Sequence, residues 1–246
     1  MPEPHIVVRP TPAHVVEEAA ERIVRAAAEA LAAGEMFGLF LSGGSTPKAL
    51  YSLLASDAYR TRIDWKGVEL YFGDERCVPP DSDLSNYRTA RESLIDHVPI
   101  PRDNLYRMKG ELDPQLAAKE YGLMLKERFL DSGPDMVLLG MGDDGHTASL
   151  FPNTAALRET HHRCVANHVP HDYIPAGTNW RITLTYPFLN TARRVLVLVT
   201  GAGKARRISE VLEGPHEPDR LPIQGIQPAG ELVWIMDVEA AGMNEE

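Results

Sequence analysis

The sequence predicts a three-layer α/β protein, with a mainly parallel sheet and helices on both of its faces. Three observations carry that prediction. Short, almost wholly apolar runs such as MFGLFLS (Met36 to Ser42) and MVLLGMG (Met136 to Gly142) lack the alternation of a half-exposed strand and read as strands buried on both faces. Segments of helical periodicity separate such runs, and strands alternating with helices imply right-handed crossovers between parallel strands. A chain of 246 residues, 43% hydrophobic and 24% charged, has the material for one large core.

After an extended start at His5 to Arg9, the stretch Thr11 to Ala33 repeats Val15, Ala19, Ile23, Ala26 and Ala30 at helical spacing and stops at Gly34. The strand from Met36 leads through glycines into a helix at KALYSLLAS. VELYFGDE (Val68 to Glu75) reads as one strand, and the loop from Arg76 to Tyr87 precedes a helix over Arg88 to Asp96. Another helix spans Pro114 to Leu130, before the strand at Met136. Further strands are expected at Arg163 to Val169, Arg181 to Thr185, Val195 to Thr200 and Leu232 to Asp237, with a helix over Lys204 to Leu212. The proline-rich stretch Pro215 to Pro228 reads as a loop. No internal repeat or low-complexity linker divides the chain. Residues 1–246 are therefore expected to form a single Rossmann-like domain whose tail frays from about residue 239.

A formal net charge of -10 and a pI near 5.4 oppose wholesale attraction to nucleic acid or to an anionic membrane, while a small anion can still be held by a few local cations. Cys77 and Cys164 are the only cysteines and form no CxxC pair, which supports neither a disulfide framework nor a structural zinc site and fits a reducing cytoplasm. His161, His162, His168 and His171 cluster without a recognised ligand spacing, so no metal is assigned. The start, MPEPHIVVRPTP, lacks a basic segment followed by a long apolar core, and no stretch approaches the roughly 18 apolar residues that cross a bilayer. A soluble protein without a targeting peptide is expected.

Ligands of open α/β sheets bind beyond the carboxyl ends of the strands, where four segments should converge: Ser42 to Pro47, Gly73 to Arg76, Gly140 to Ser149 and Gly201 to Lys204. In the first, Gly43 and Gly44 allow close backbone approach, Ser45 and Thr46 add hydroxyl donors, and Pro47 suits a first helical turn. A helix start of this kind fits a phosphate, and equally a plain cap with Ser45 or Thr46 as N-cap. GMGDDGHTASLF matches GxGxxG at Gly140, Gly142 and Gly145, but the ribose-binding acid of a dinucleotide site is missing, since the next strand ends in Asn167 and His168. His146, in the same turn and two residues after Asp144, is the better candidate: imidazole can take a proton from water, and a carboxylate fixes its tautomer. Asp74 and Arg76 stand past another strand. Lys204 begins a helix where its charge opposes the dipole unless an anion is near, and Arg181 lies at the start of RITLT. Cys77 reads as a small apolar filler rather than a nucleophile.

The blocks LSGGSTPKALY, YFGDERCVP, SNYR (Ser85 to Arg88), PDMVLLGMGDDGHTASLFP, RITLTYPFLN and VLVLVTGAGKA cover most of Leu41 to Ala205, and in them the chain resembles the 6-phosphogluconolactonase family. GHTASLFP is specific to it, whereas the GGSTP corner is shared with wider relatives. The resemblance implies a fold akin to the glucosamine-6-phosphate deaminase and ribose-5-phosphate isomerase group. It also implies hydrolysis of a phosphorylated sugar lactone in the oxidative pentose phosphate pathway, with no metal or organic cofactor. It names no protein partner. On it, Gly43, Gly44, Ser45 and Thr46 with Lys204 and Arg181 are expected to hold the phosphate. His146 and Asp144 would activate water, Arg76 would stabilise the oxyanion, and Asp74 would position Arg76 or the sugar hydroxyls. Asn86 and Arg88 are candidates to line the pocket. Two rivals are a deaminase, whose family has a glutamate five residues after the histidine where this chain has Phe151, and a non-catalytic sugar-phosphate sensor, which has no need of Asp144 and His146.

Overall fold

Thr11 starts the first long helix because its backbone is extended and its side chain accepts from His14 N, while Pro12 fills a position with no use for an N–H. That helix, α1 (Pro12–Ala32), follows strand β1 (His5–Arg9) and ends before Gly34, whose φ of 76° suits only glycine without strain. All five apolar residues that define its periodicity are buried. In this computed structural model, which describes residues 4–130, 132–170 and 179–243, the chain continues through β2 (Phe37–Leu41), α2 (Ser45–Leu54), β3 (Val68–Phe72), β4 (Asp74–Arg76), α3 (Asn86–Ser93) and α4 (Pro114–Arg128). Then follow β5 (Met136–Leu139), β6 (Cys164–His168), β7 (Trp180–Leu184), the short α5 (Tyr186–Leu189), β8 (Arg194–Val199), α6 (Ala205–Glu213) and β9 (Glu231–Asp237).

Six strands form a wholly parallel sheet in the order β1-β9-β8-β5-β2-β3. Every residue of β2, β3 and β5 is buried, as the unbroken apolar runs require. From β2 the chain crosses outward to β3, and from β5 it crosses the other way to β8 and β9. The β2–β5 boundary is therefore a switch point, where crossovers leave in opposite directions and open a crevice at the carboxyl ends.

Two expectations need correction. VELYFGDE is not one strand: Gly73 divides it, its N–H donating to Leu41 O at 2.9 Å and its carbonyl accepting from Leu184 N at 2.9 Å. Val68–Phe72 stays in the parallel sheet, and Asp74–Arg76 turns into a second, antiparallel sheet of order β4-β7-β6. The strands expected over 163–169 and 181–185 belong to that sheet and pair antiparallel, Ala166 opposite Ile182, because the stretch of chain between them is shorter than the crossover a parallel pair needs. The second correction concerns the tail. Ala240 is fully buried and donates its N–H to Asp237 Oδ1 at 2.8 Å, and Met243 N reaches Val238 O at 2.9 Å, so the chain is held through residue 243.

Aromatic rings cluster in the core where β2 and β3 meet α4 and α5. Phe40 of β2 stacks on Tyr71 of β3 at 4.6 Å between centroids, with Phe129 at the end of α4 and Phe188 of α5 against it at 5.6 and 5.7 Å. No described helix is long and apolar enough to cross a membrane. Because Phe40 is fully buried with three ring neighbours, Phe40→Ala should lower unfolding free energy by about 3–5 kcal/mol. Urea denaturation measures this, and a loss below about 1 kcal/mol would contradict the packing described.

Candidate active site

All four expected segments meet at the switch point, around a cavity of about 400 Å³ lined among others by Ser42 to Pro47, Asp74, Arg76, Gly140 to Gly142, His146 to Ser149, Arg181 and Lys204. That volume is in the range of small-ligand pockets. It also gathers three cations in a protein of net charge -10.

The wall after β2 is the start of α2. Tyr51, in the second turn of that helix and fully buried, donates its hydroxyl proton to Ser42 O at 2.6 Å and accepts from Ser42 N at 2.9 Å, which clamps the turn. Gly44, with φ 108°, is the N-cap, and no side chain caps the helix. The reading of Ser45 or Thr46 as N-cap is thereby corrected: both are inside the helix, and Thr46 Oγ1 instead bonds Thr200 Oγ1 at 3.0 Å beyond β8. Lys48 N makes the first helical bond, to Gly44 O, so the earlier N–H groups and the positive end of the dipole are left at the cavity wall.

The turn after β5 is built to hold an imidazole. Gly142 N donates to His146 O at 2.9 Å and Gly145 N to Gly142 O at 3.0 Å, closing a compact loop. A Cβ on Gly142 would lie 2.1 Å from His146 Nδ1, so only glycine leaves room for the ring. His146 Nδ1 lies 2.6 Å from Asp144 Oδ1, which also accepts from His146 N at 3.0 Å, and Phe151 stacks on the ring at 4.0 Å. Burial acts upward on the Asp144 carboxyl, but the hydrogen bonds and charge of His146 outweigh it and hold its pKa below the ordinary value. An ionised Asp144 fixes the proton on Nδ1 and leaves Nε2 with its lone pair. No helix follows this turn, and so GxGxxG here lacks the helix that a dinucleotide fingerprint requires.

The third wall comes from the second sheet. Asp74 is buried, with Ser149 Oγ donating to Oδ2 at 2.6 Å and Asn86 Nδ2 to Oδ1 at 3.1 Å. Arg76 and Arg181 are register partners across β4 and β7. Burial first, and the charge of Arg76 next, press the Arg181 pKa downward, so an anion between the two guanidinium groups would relieve their repulsion. Lys204, at the start of α6, donates to Met141 O at 2.9 Å and pairs with Asp143.

Some candidates fall elsewhere. Asn86 lines the cavity, but Arg88 faces away, bound to Asp83, Glu92 and Asp81 O. His162 pairs with Glu159, His168 packs edge-on to Trp180, and His171 lies outside the described residues. Ser149 was missed by sequence reasoning: its partner Asp74 stands 75 residues away, and no local pattern joins them. Neighbouring Ala148 lines the cavity with φ 46°, a left-handed conformation costly for a residue with a Cβ.

Fold and cavity define a class, an α/β protein with a crevice lined by three cationic side chains and an imidazole–carboxylate pair at the switch point of its sheet. The chain belongs to the family described as glucosamine-6-phosphate isomerases/6-phosphogluconolactonase, whose model matches residues 10–234. It is 39% identical over 214 residues to 6-phosphogluconolactonase of Nostoc sp., covering 83% of each chain. The structure of 6-phosphogluconolactonase from Trypanosoma cruzi superposes with a TM-score of 0.84 at 29% identity, over 98% of this chain and 96% of that one. A monomeric glucosamine-6-phosphate deaminase gives the same TM-score, 0.84, at 19% identity over 98% and 100%, which shows a common fold alone.

Cys77 lies outside the cavity lining, and burial pushes its thiol up to about 11. It stays protonated through neutral pH, and thiolate rises about tenfold per pH unit until that value. Cys77→Ala should therefore keep full activity. Alkylation followed by mass spectrometry should be about a hundredfold slower at pH 8 than for a thiol of pKa 9. Rapid labelling with loss of activity would contradict this placement.

Proposed function

We propose that this protein hydrolyses 6-phospho-D-glucono-1,5-lactone to 6-phosphogluconate, with His146 activating the attacking water. The observation that carries the reading is that one cavity is lined by both the uncapped start of α2 and His146, whose Nδ1 is held by Asp144. Family membership and the relatives named 6-phosphogluconolactonase support the substrate.

The phosphate is held by the N–H groups at the start of α2, within Gly43, Gly44, Ser45 and Thr46, with Lys204 and Arg181 adding charge. His146 Nε2 takes a proton from water as the water oxygen bonds to the lactone carbonyl carbon. Asp144 stabilises the imidazolium that forms. The carbonyl π electrons move to oxygen, and Arg76, which gives one Nη1 bond to Leu84 O, offers its other N–H groups to that oxyanion. Collapse of the tetrahedral intermediate breaks the bond to the ring oxygen, which takes the proton from His146, and the acid formed ionises in solution. Asp74, held by Ser149 and Asn86, orients the sugar hydroxyls.

The deaminase alternative needs a carboxylate where Phe151 stacks on the imidazole. A phenyl ring can steer the histidine but shuttles no proton. A sensor has no use for the Asp144–His146 bond, whose geometry serves proton transfer.

Freshly generated 6-phosphogluconolactone should open faster with protein than without, as followed by proton release in a pH-stat. A rate equal to background would remove the reading, and ammonia from glucosamine 6-phosphate would favour the deaminase. His146→Ala should lower kcat by about 10²- to 10⁴-fold, and a wild-type kcat would reject its role as base. Lys204→Ala should chiefly raise KM, since its contact with phosphate is equal in ground and transition states.

A further inference from the structure

Gly43 and Asp74 stand just past the carboxyl ends of the neighbouring strands β2 and β3, where Asp74 turns away into the second sheet, and Asn86 touches both. A Cβ on Gly43 would lie 2.1 Å from Asn86 Oδ1, so the amide is packed directly against the glycine backbone. On its other side, Asn86 Nδ2 donates to Asp74 O at 3.0 Å and to Asp74 Oδ1 at 3.1 Å. The residue is also fixed from behind. Its backbone N–H donates to Glu75 Oε1 at 2.7 Å, and it opens α3, which Ser85 caps by accepting from Arg88 N at 3.1 Å. Asn86 is 4% exposed, and that remainder faces the cavity.

The turn at Gly43 is the grip for phosphate, and Asp74 begins the wall that meets the other end of the sugar. Their separation must match the substrate, and beyond the last sheet bond, from Gly73 N to Leu41 O, the two elements diverge with the Asn86 amide packed between them. We infer that Asn86 is a positioning residue that sets the spacing between the phosphate turn and the Asp74–Arg76 wall, so that phosphate binding aligns the lactone carbonyl with His146. This rests on the lactonase reading. Anchoring energy from a remote group raises rate only when it fixes the reacting atoms in place, and a shift of about 1 Å can cost roughly a hundredfold.

The test uses Asn86→Ala and Asn86→Asp, with inorganic phosphate as a competitive probe of the grip alone. Asn86→Asp keeps the shape but removes both N–H bonds and sets a carboxylate against Asp74. Both variants should lose about 10- to 100-fold in kcat while KM and the phosphate inhibition constant stay within about threefold of wild type. Gly43→Ala, which displaces the amide from the opposite side, should show a kcat loss of similar size, and it serves as the check if the Asn86 variants fold poorly. Unchanged kcat would overturn the inference. So would a rise in the phosphate inhibition constant matching the loss in kcat, because Asn86 would then only hold the grip together. Absence of phosphate inhibition in the wild type would remove the grip and this inference with it. A wild-type rate equal to background would instead refute the lactonase reading.

Discussion

The hydrogen bond between Asp144 and His146 Nδ1 organises the site, because it decides which ring nitrogen is left for chemistry. It exists only because the chain after β5 folds back on itself, with Gly142 vacant of a side chain where the ring must sit. That turn is held from outside as well. Gly145 O accepts from Ile223 N at 3.0 Å, Leu221 packs so closely on Gly145 that a Cβ would come within 2.7 Å of it, and Lys204 and Arg207 bind Asp143. A histidine two residues from an aspartate is a common local pattern. Here long-range contacts turn it into a fixed acid–base pair.

The crevice that receives this turn is a consequence of strand order. Crossovers leave β2 and β5 in opposite directions, and the gap between them is bordered by the start of α2, the His146 turn and the end of β8. The antiparallel sheet adds the fourth side, bringing Asp74, Arg76 and Arg181 from strands that the parallel sheet could not place there. An acidic protein thus concentrates Arg76, Arg181 and Lys204 in one concavity, the arrangement that the proposed binding of an anion by a protein of net charge -10 requires.

Much of this was legible in the sequence, for reasons that can be named. Val15, Ala19, Ile23, Ala26 and Ala30 share one helix face whatever lies opposite, and a run such as Phe37–Leu41 can satisfy its apolar character only between two layers. Loops at strand ends inherit their position from the sheet, which is why the four segments were found. The second sheet was hidden because Gly73 changes partners without changing local pattern. Asn86 was read as a lining candidate, but Ser149 was hidden because its role consists of a bond to Asp74, and a partner 75 residues away leaves no periodicity. Arg88 misled for the converse reason. It sits in the SNYR block beside a true lining residue, but two positions along a helix turn the side chain away, toward Asp83 and Glu92. The loop 215–228 carried no readable message, and its Leu221 and Ile223 nevertheless buttress the turn that holds His146.

The central claim is that anion grip and imidazole face one ligand. NMR titration tests it directly, with backbone amides of Gly44, Ser45 and Thr46 and the ring nitrogens of His146 followed together. 6-Phosphogluconate should shift both sets with one dissociation constant, while inorganic phosphate should perturb the amides most. If 6-phosphogluconate moved the amides and left the His146 ring unperturbed, or gave two distinct constants, the two features would not share a site and the account would fail.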